Sequence, residues 1–172
     1  MPVSRGAALL LAGLWLGVLV ASWIAATASF RAVDRVLGPE MRPELSARLA
    51  AVPAPDRRVA LRHLASEINR WMFARVGLVQ GVLAVAFLAA AWPAGGVVRV
   101  LALAAAALTL VQAGLAPPIE SLGRSIDFVP RPLPLDVARR FGLLHGAFVL
   151  LDLSKAGILA LAGHVLTRLP LK

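Results

Sequence analysis

The sequence predicts an all-α integral membrane protein: a four-helix transmembrane bundle with an amphipathic segment between its first and second helices. Three observations predict it. Four apolar stretches, Ala7–Phe30, Trp71–Trp92, Val97–Ala116 and Phe141–Leu166, occupy more than half of the 172 residues. Each is about 20 residues or longer, enough to cross a hydrocarbon core of roughly 30 Å as a helix. Mean hydropathy is +0.80 and 59% of residues are hydrophobic, against roughly 45–50% apolar in soluble domains. Finally, prolines and arginines gather between the apolar stretches, where connections belong. The length fits a single membrane domain over residues 1–172 and leaves no room for a second one.

The first span follows the short tail Met1–Gly6 and carries no charge until Arg31. Arg5 together with Ala26-Thr27-Ala28 offers a rival reading, a cleaved signal peptide. The apolar core exceeds the usual about 7–15 residues of such a segment, which favours a retained helix. Gly13 and Gly17 form a GxxxG step that permits close helix approach in lipid.

Residues 31–70 form the only sizeable polar stretch, broken by Pro39, Pro43, Pro53 and Pro55. Glu44–Ala51 reads as a short amphipathic helix. Asp56 is placed as the N-cap of another, with Val59, Leu61, Leu64 and Ile68 repeating along it, and this helix is expected to run on into the second span. The segment is expected to lie on the membrane surface with its arginines toward headgroups.

Trp71 and Trp92 bracket the second span at the levels where aromatic belts sit. Pro93-Ala94-Gly95-Gly96 makes a short turn. The third span, rich in Ala and Leu, is expected to end at Pro117-Pro118. The loop 117–140 holds prolines 117, 118, 130, 132 and 134, which predicts an irregular middle. Asp136 is placed as the N-cap of the fourth span, starting near Val137.

Charge sets the orientation and the partners. The net charge is +9, with 18 Lys and Arg against 9 acidic residues. Twelve of the 18 basic residues sit in the two longer loops: Arg31, Arg35, Arg42, Arg48, Arg57, Arg58, Arg62, Arg70, Arg124, Arg131, Arg139 and Arg140. Only Arg5, Arg99, Arg168 and Lys172 fall on the other side. This bias places both long loops in the cytoplasm and both termini outside, and argues against a signal peptide. The composition suggests a bacterial inner membrane. Basic residues beside apolar spans match anionic lipid headgroups, so the expected partners are the lipid bilayer and either a second copy or another membrane protein. No RRM, zinc-finger or helix-turn-helix pattern supports nucleic-acid binding.

Chemistry is sparse. With no cysteine, disulfides and thiolate chemistry are excluded. Phosphate-binding glycine loops and hydrolase serine motifs are absent, so no catalytic residue, cofactor or metal is assigned. His63 and Glu67 have i,i+4 zinc spacing, a pattern common by chance. His145 and His164 lie at opposite ends of one helix and cannot share a metal.

The charges inside the spans require an explanation, at roughly 2.5–3.5 kcal/mol each on insertion scales. Asp152 and Lys155 are three apart on the fourth span and can pair along it. His145 shares a face with Asp152, being about 20° short of two full turns away. One reading is a charge-balanced pair that fixes packing. The other is a proton- or ion-linked site carried by Asp152 and tuned by Lys155 or His145. A second polar group, Glu67, Asn69, Arg75, Gln112, Glu120 and His145, gathers at the long-loop end, with Glu120 or Glu67 the expected partner of Arg75. Together, His145, Asp152, Lys155, Arg75, Glu120 and Glu67 are the candidate polar cluster.

The fourth span, with Phe141 shortly before His145-Gly146 in RRFGLLHGAFVLLDLSKAGIL, resembles the closing helix of the transmembrane protein 205-like family, also catalogued as domain of unknown function DUF4149. The approach to the second span, SEINRWMFARVGLVQG, is similar to that family's, and Trp15-Leu16-Gly17 also fits. The step after the third span, LAPPIESLGRS, is similar in content but differs in order. Asp152 falls where family members often carry Asn. The resemblance implies a four-span α-helical membrane protein and no particular mechanism. Three function classes remain: a structural or accessory, partner-binding membrane protein; a small oligomeric transporter or permeability factor; and a membrane enzyme or haem-handling protein, for which His145 would be the lead residue though no second histidine is well placed.

Overall fold

A computed structural model describes residues 2–39, 41–129 and 132–169. Pro130, Arg131 and Lys172, used above for the loop and the charge bias, lie outside the described residues. Five α-helices follow one another: α1 (Pro2–Val36), α2 (Pro43–Leu49), α3 (Ala54–Ala91), α4 (Gly96–Ser125) and α5 (Leu135–Arg168). No strand occurs among the described residues. Four of the helices are long and apolar enough to cross a membrane.

Each helix outruns its apolar stretch, for reasons local to its ends. α1 continues past Phe30 because no breaker intervenes before Gly38-Pro39. A Cβ at Gly38 would come within 3.1 Å of the Asp34 carbonyl oxygen, so the turn there is made where only glycine fits easily. α2 begins with proline at its first turn, carries Glu44 at its start and Arg48 at its end, and buries no residue. It therefore lies outside the core of the bundle.

The surface segment and the second span are a single helix. α3 runs 38 residues from Ala54, capped by Pro53 rather than by Asp56. Pro53 and Pro55 fix φ in the range a first helical turn needs, so the helix starts three residues earlier than a side-chain cap at Asp56 would allow. Asp56 instead lies in the first turn, where its charge still complements the helix N-terminus. α5 makes the same correction: Pro134 is the N-cap, without a side-chain bond, and Asp136 sits in the first turn.

The larger correction concerns α4. Helix does not stop at Pro117-Pro118; both prolines lie inside it. Proline removes a backbone bond, but contacts with neighbouring helices can hold such a helix together. Here Gln112 before the prolines bonds α5, and Arg124 after them ion-pairs with Glu67 of α3 at 2.8 Å and Glu120 of its own helix at 2.9 Å. The irregular part of the connection shrinks to the residues after Ser125.

Between α3 and α4 a single 3-10 turn, Trp92–Ala94, leads to Gly95 and Gly96, whose φ of +64° and +46° account for two adjacent glycines. Arg99 donates to the Trp92 carbonyl at 2.9 Å and stacks over its indole.

The four long helices form an up-down bundle in the cyclic order α1, α3, α4, α5, each antiparallel to both neighbours. The apolar core occupies the end with the short turn. Ala8, Ala12, Trp15 and Leu19 of α1 meet Leu83, Ala84, Phe87 and Ala91 of α3, with Ala102 and Ala105 of α4 and Leu159, Ala162 and Leu166 of α5. Small residues on α4 let its backbone approach, while Trp15 and Phe87 fill the space edge to face at 6.3 Å. At that end Arg5 donates to the Thr167 and Leu169 carbonyls, satisfying the open C-terminus of α5. The GxxxG step does not join helices within the chain: Gly13 and Gly17 are exposed, with nothing within 4 Å of an added Cβ.

Candidate functional site

The centre of the bundle is polar, and all four long helices build it. On α5, Asp152 and Lys155 touch at 3.0 Å, with side chains only 4% and 0% exposed. Their i,i+3 spacing makes the contact; the neighbouring helices enclose it. The Lys155 ammonium donates to Gln80 Oε1 of α3 and Gln112 Oε1 of α4. The Gln112 amide then turns its Nε2 to Asp152 Oδ1 at 2.8 Å and to the Phe148 carbonyl at 3.3 Å. From α1, Trp23 Nε1 donates to Asp152 Oδ2 at 3.3 Å and Trp15 Nε1 to Gln80 Oε1 at 3.4 Å.

Each buried charge therefore has its counter-charge and fixed dipoles around it. Lys155 has three acceptors for its three donor positions. Asp152 has a donor on each oxygen besides the ammonium. That arrangement can hold two charges in an apolar interior without leaving either unmatched.

The remaining sequence candidates separate into two other places. His145 does not join Asp152. The inward seam of α5 drifts along the helix and at that level passes through Phe141, Leu144 and Phe148, which are half-buried. Phe148 packs edge to face on Phe73 of α3, and exposed His145 stacks on Phe141. Arg75 also points outward. It stacks over the Trp71 ring at 4.8 Å and makes no ion pair among the described residues. Its expected partners are taken: Glu67 pairs with Arg70 and Arg124, and Glu120 with Arg124.

Glu67 and Glu120 belong instead to an ionic cluster at the long-loop end. Its hub is Arg70, which forks onto both oxygens of Asp127 at 2.6 and 2.7 Å and also reaches Glu67. Asp127, just past the end of α4, is nearly buried and lies 3.1 Å from His63 Nδ1. His63, Glu67 and Asp127 bring ligand atoms within 4.8 Å of one another, a spacing that suits a metal ion. Arg70 already supplies the cation there, so a metal would have to displace a guanidinium bound to both carboxylates. Asn69 ties α3 to α1 through Ser29 Oγ at 2.8 Å; its Oδ1 has no hydrogen-bond partner among the described residues.

The sequence reading missed Gln80, Trp15 and Trp23 at the centre and Arg70, Asp127 and Arg124 at the loop end. One signal was present. Asn69 and Gln80 are eleven residues apart, three helical turns, so both fall on the same buried face of α3. No known protein family, curated protein or solved structure matches this chain.

Proposed function

We propose that this chain is a multi-pass membrane protein of structural or accessory type, related to the transmembrane protein 205-like family and binding a membrane-protein partner or a second copy of itself. Its exterior supports the membrane reading. Leu10, Leu78, Val82, Val85, Leu110 and Leu150 are all exposed on the four long helices, while Asp152 and Lys155 in the middle of α5 face inward. Such an inside-out distribution suits lipid rather than water. The arginine bias favours cytoplasmic long loops, both termini outside and, with the composition, a bacterial inner membrane with anionic headgroups beside the loops.

The observation that carries the structural reading is the saturation of the Asp152–Lys155 pair by groups from every long helix. A carrier site needs a vacant coordination place or a titrating group open to water; here each polar atom of the pair is engaged. The pair acts as a register lock, allowing one rotation and one height for each helix.

One observation favours the alternative, a small oligomeric transporter with an ion-linked site at Asp152, Lys155 and His145. Trp23 is only half-buried and its indole touches Asp152, so displacing it opens a side path to the carboxylate. Reconstitution in proteoliposomes separates the two. The structural reading predicts proton and ion fluxes equal to those of empty liposomes. A flux abolished by Asp152→Asn supports the transporter instead.

A further inference from the structure

The outer face of α1 carries a groove that shares only Trp23 with the buried pair and no residue with the ionic cluster. It is open and encloses about 550 Å³. One wall is the row Trp23, Thr27, Arg31 and Arg35, spaced one turn apart; Ile24 and Ala28 lie beside it. The groove is thus apolar and aromatic at its inner end and doubly cationic at its outer end.

The cations are uncommitted among the described residues. Arg31 and Arg35 are exposed, and neither forms a salt bridge among the described residues. The acidic side chain between them in sequence, Asp34, is held by Arg58 at 2.9 Å. Two guanidiniums one helical turn apart can share a single phosphate.

The depth of the groove fits a lipid. The Ser29–Asn69 bond sets the register of α1 against α3 and puts Thr27 at the level of Trp71. Trp71 is 62% exposed and marks where an aromatic belt would lie. Arg31 and Arg35 then stand one and two turns on the headgroup side of that level, and Trp23 one turn on the hydrocarbon side. From the midpoint of Arg31 and Arg35 to Trp23 is ten residues, roughly 15 Å of helix, room for a phosphate, its glycerol and the first carbons of an acyl chain.

We infer that this groove is a binding site for an anionic phospholipid, its phosphate between Arg31 and Arg35 and the upper part of one acyl chain lying over Thr27 and Ile24 beside Trp23. Because the Trp23 indole also holds Asp152, the bound chain would press on the one side-chain link between the surface of α1 and the buried pair. This assignment rests on the membrane reading; recovery of wild type and variants in the membrane fraction tests that reading on its own.

The experiment is native mass spectrometry of the full chain released from nanodiscs containing equal phosphatidylglycerol and phosphatidylcholine. Three proteins are compared: wild type, the double variant Arg31→Gln/Arg35→Gln, and the control Arg42→Gln/Arg48→Gln, which removes two exposed arginines at and beside α2. Wild type should retain one phosphatidylglycerol in preference to phosphatidylcholine. The groove variant should lose about thirtyfold of that preference, the effect of removing two surface arginines, and the control should keep it. Equal losses in both double variants, or no preference in wild type, would overturn the site.

Discussion

Replacing Asp152 by Asn removes the negative half of a pair that is sealed on all sides. The Lys155 ammonium would keep its two amide acceptors, from Gln80 and Gln112, and lose its only counter-charge. Leaving one partner of a buried ion pair alone costs about 3–5 kcal/mol. The surviving amide contacts place this case near the lower end, about 3 kcal/mol, or roughly a hundredfold in the folded-to-unfolded ratio. The double variant Asp152→Asn/Lys155→Met removes both charges and nearly preserves volume. What remains is an acceptor on Gln80 and one on Gln112 without the ammonium, at about 0.5–1 kcal/mol each where partial re-pairing occurs. Gln80 keeps its Trp15 bond, which limits its share. The double variant is therefore expected to be about 1–2 kcal/mol more stable than the single one. Unfolding in mixed micelles, followed by tryptophan fluorescence, measures this directly. A double variant as unstable as Asp152→Asn alone would refute the idea that stability rests on charge balance within the pair.

Gln112→Leu removes a donor to Asp152 and an acceptor for Lys155, so it should cost about 3 kcal/mol; Gln80→Leu, which removes the one acceptor shared by the ammonium and, at a long 3.4 Å, the Trp15 indole, should cost less, about 2 kcal/mol. The same unfolding assay ranks them. At the loop end, Arg70→Ala exposes nearly buried Asp127 to an unmatched charge and should cost about 2–4 kcal/mol, whereas Arg124→Ala, with both partners substantially exposed, should cost less than about 1. Similar losses in the two would contradict the assignment of Arg70 as the hub. Gly13→Ala and Gly17→Ala have open space around the new methyl and should each stabilise the monomer by up to about 1 kcal/mol. Destabilisation of the monomer by either would mean that this face of α1 packs closely inside the bundle.

What could be read in the sequence was what a single helix decides. The four long helices, the surface helix near Glu44, the turn at Pro93–Gly96 and the approach of Asp152 to Lys155 all follow from local spacing and apolar run length. What could not be read depends on which helix lies beside which. The partners of Lys155 come from residues 75 and 43 positions away, and only the cyclic order of helices places them there. His145 went astray for a related reason. A 20° offset from Asp152 looks negligible on one helix, but the bulky seam of Phe141, Leu144 and Phe148 takes the inward side at that level. The prolines at 117 and 118 misled because proline ends helices in water, where nothing replaces the missing bonds; here side-chain bonds to α5 and α3 on either side of them carry α4 through. The loop-end cluster was half legible: Glu67 and Glu120 were identified, but Asp127 lies in a turn that no periodicity marks.

The most direct test of the sealed centre uses the absence of cysteine from the chain. Gln112 of α4 lies opposite Asp152, so Thr109, three residues earlier on an antiparallel helix, stands at the level of Lys155. Thr109 is buried and, among the described residues, its hydroxyl bonds only the Ala105 carbonyl of its own helix. The variant Thr109→Cys, with exposed Ser121→Cys as reference, would be treated with a charged, water-soluble methanethiosulfonate in native membranes. A closed centre predicts labelling at Ser121→Cys and none at Thr109→Cys until the protein is unfolded. Labelling of Thr109→Cys in the folded protein at a rate near that of the reference would mean that water reaches the pair, and the register-lock account would be wrong.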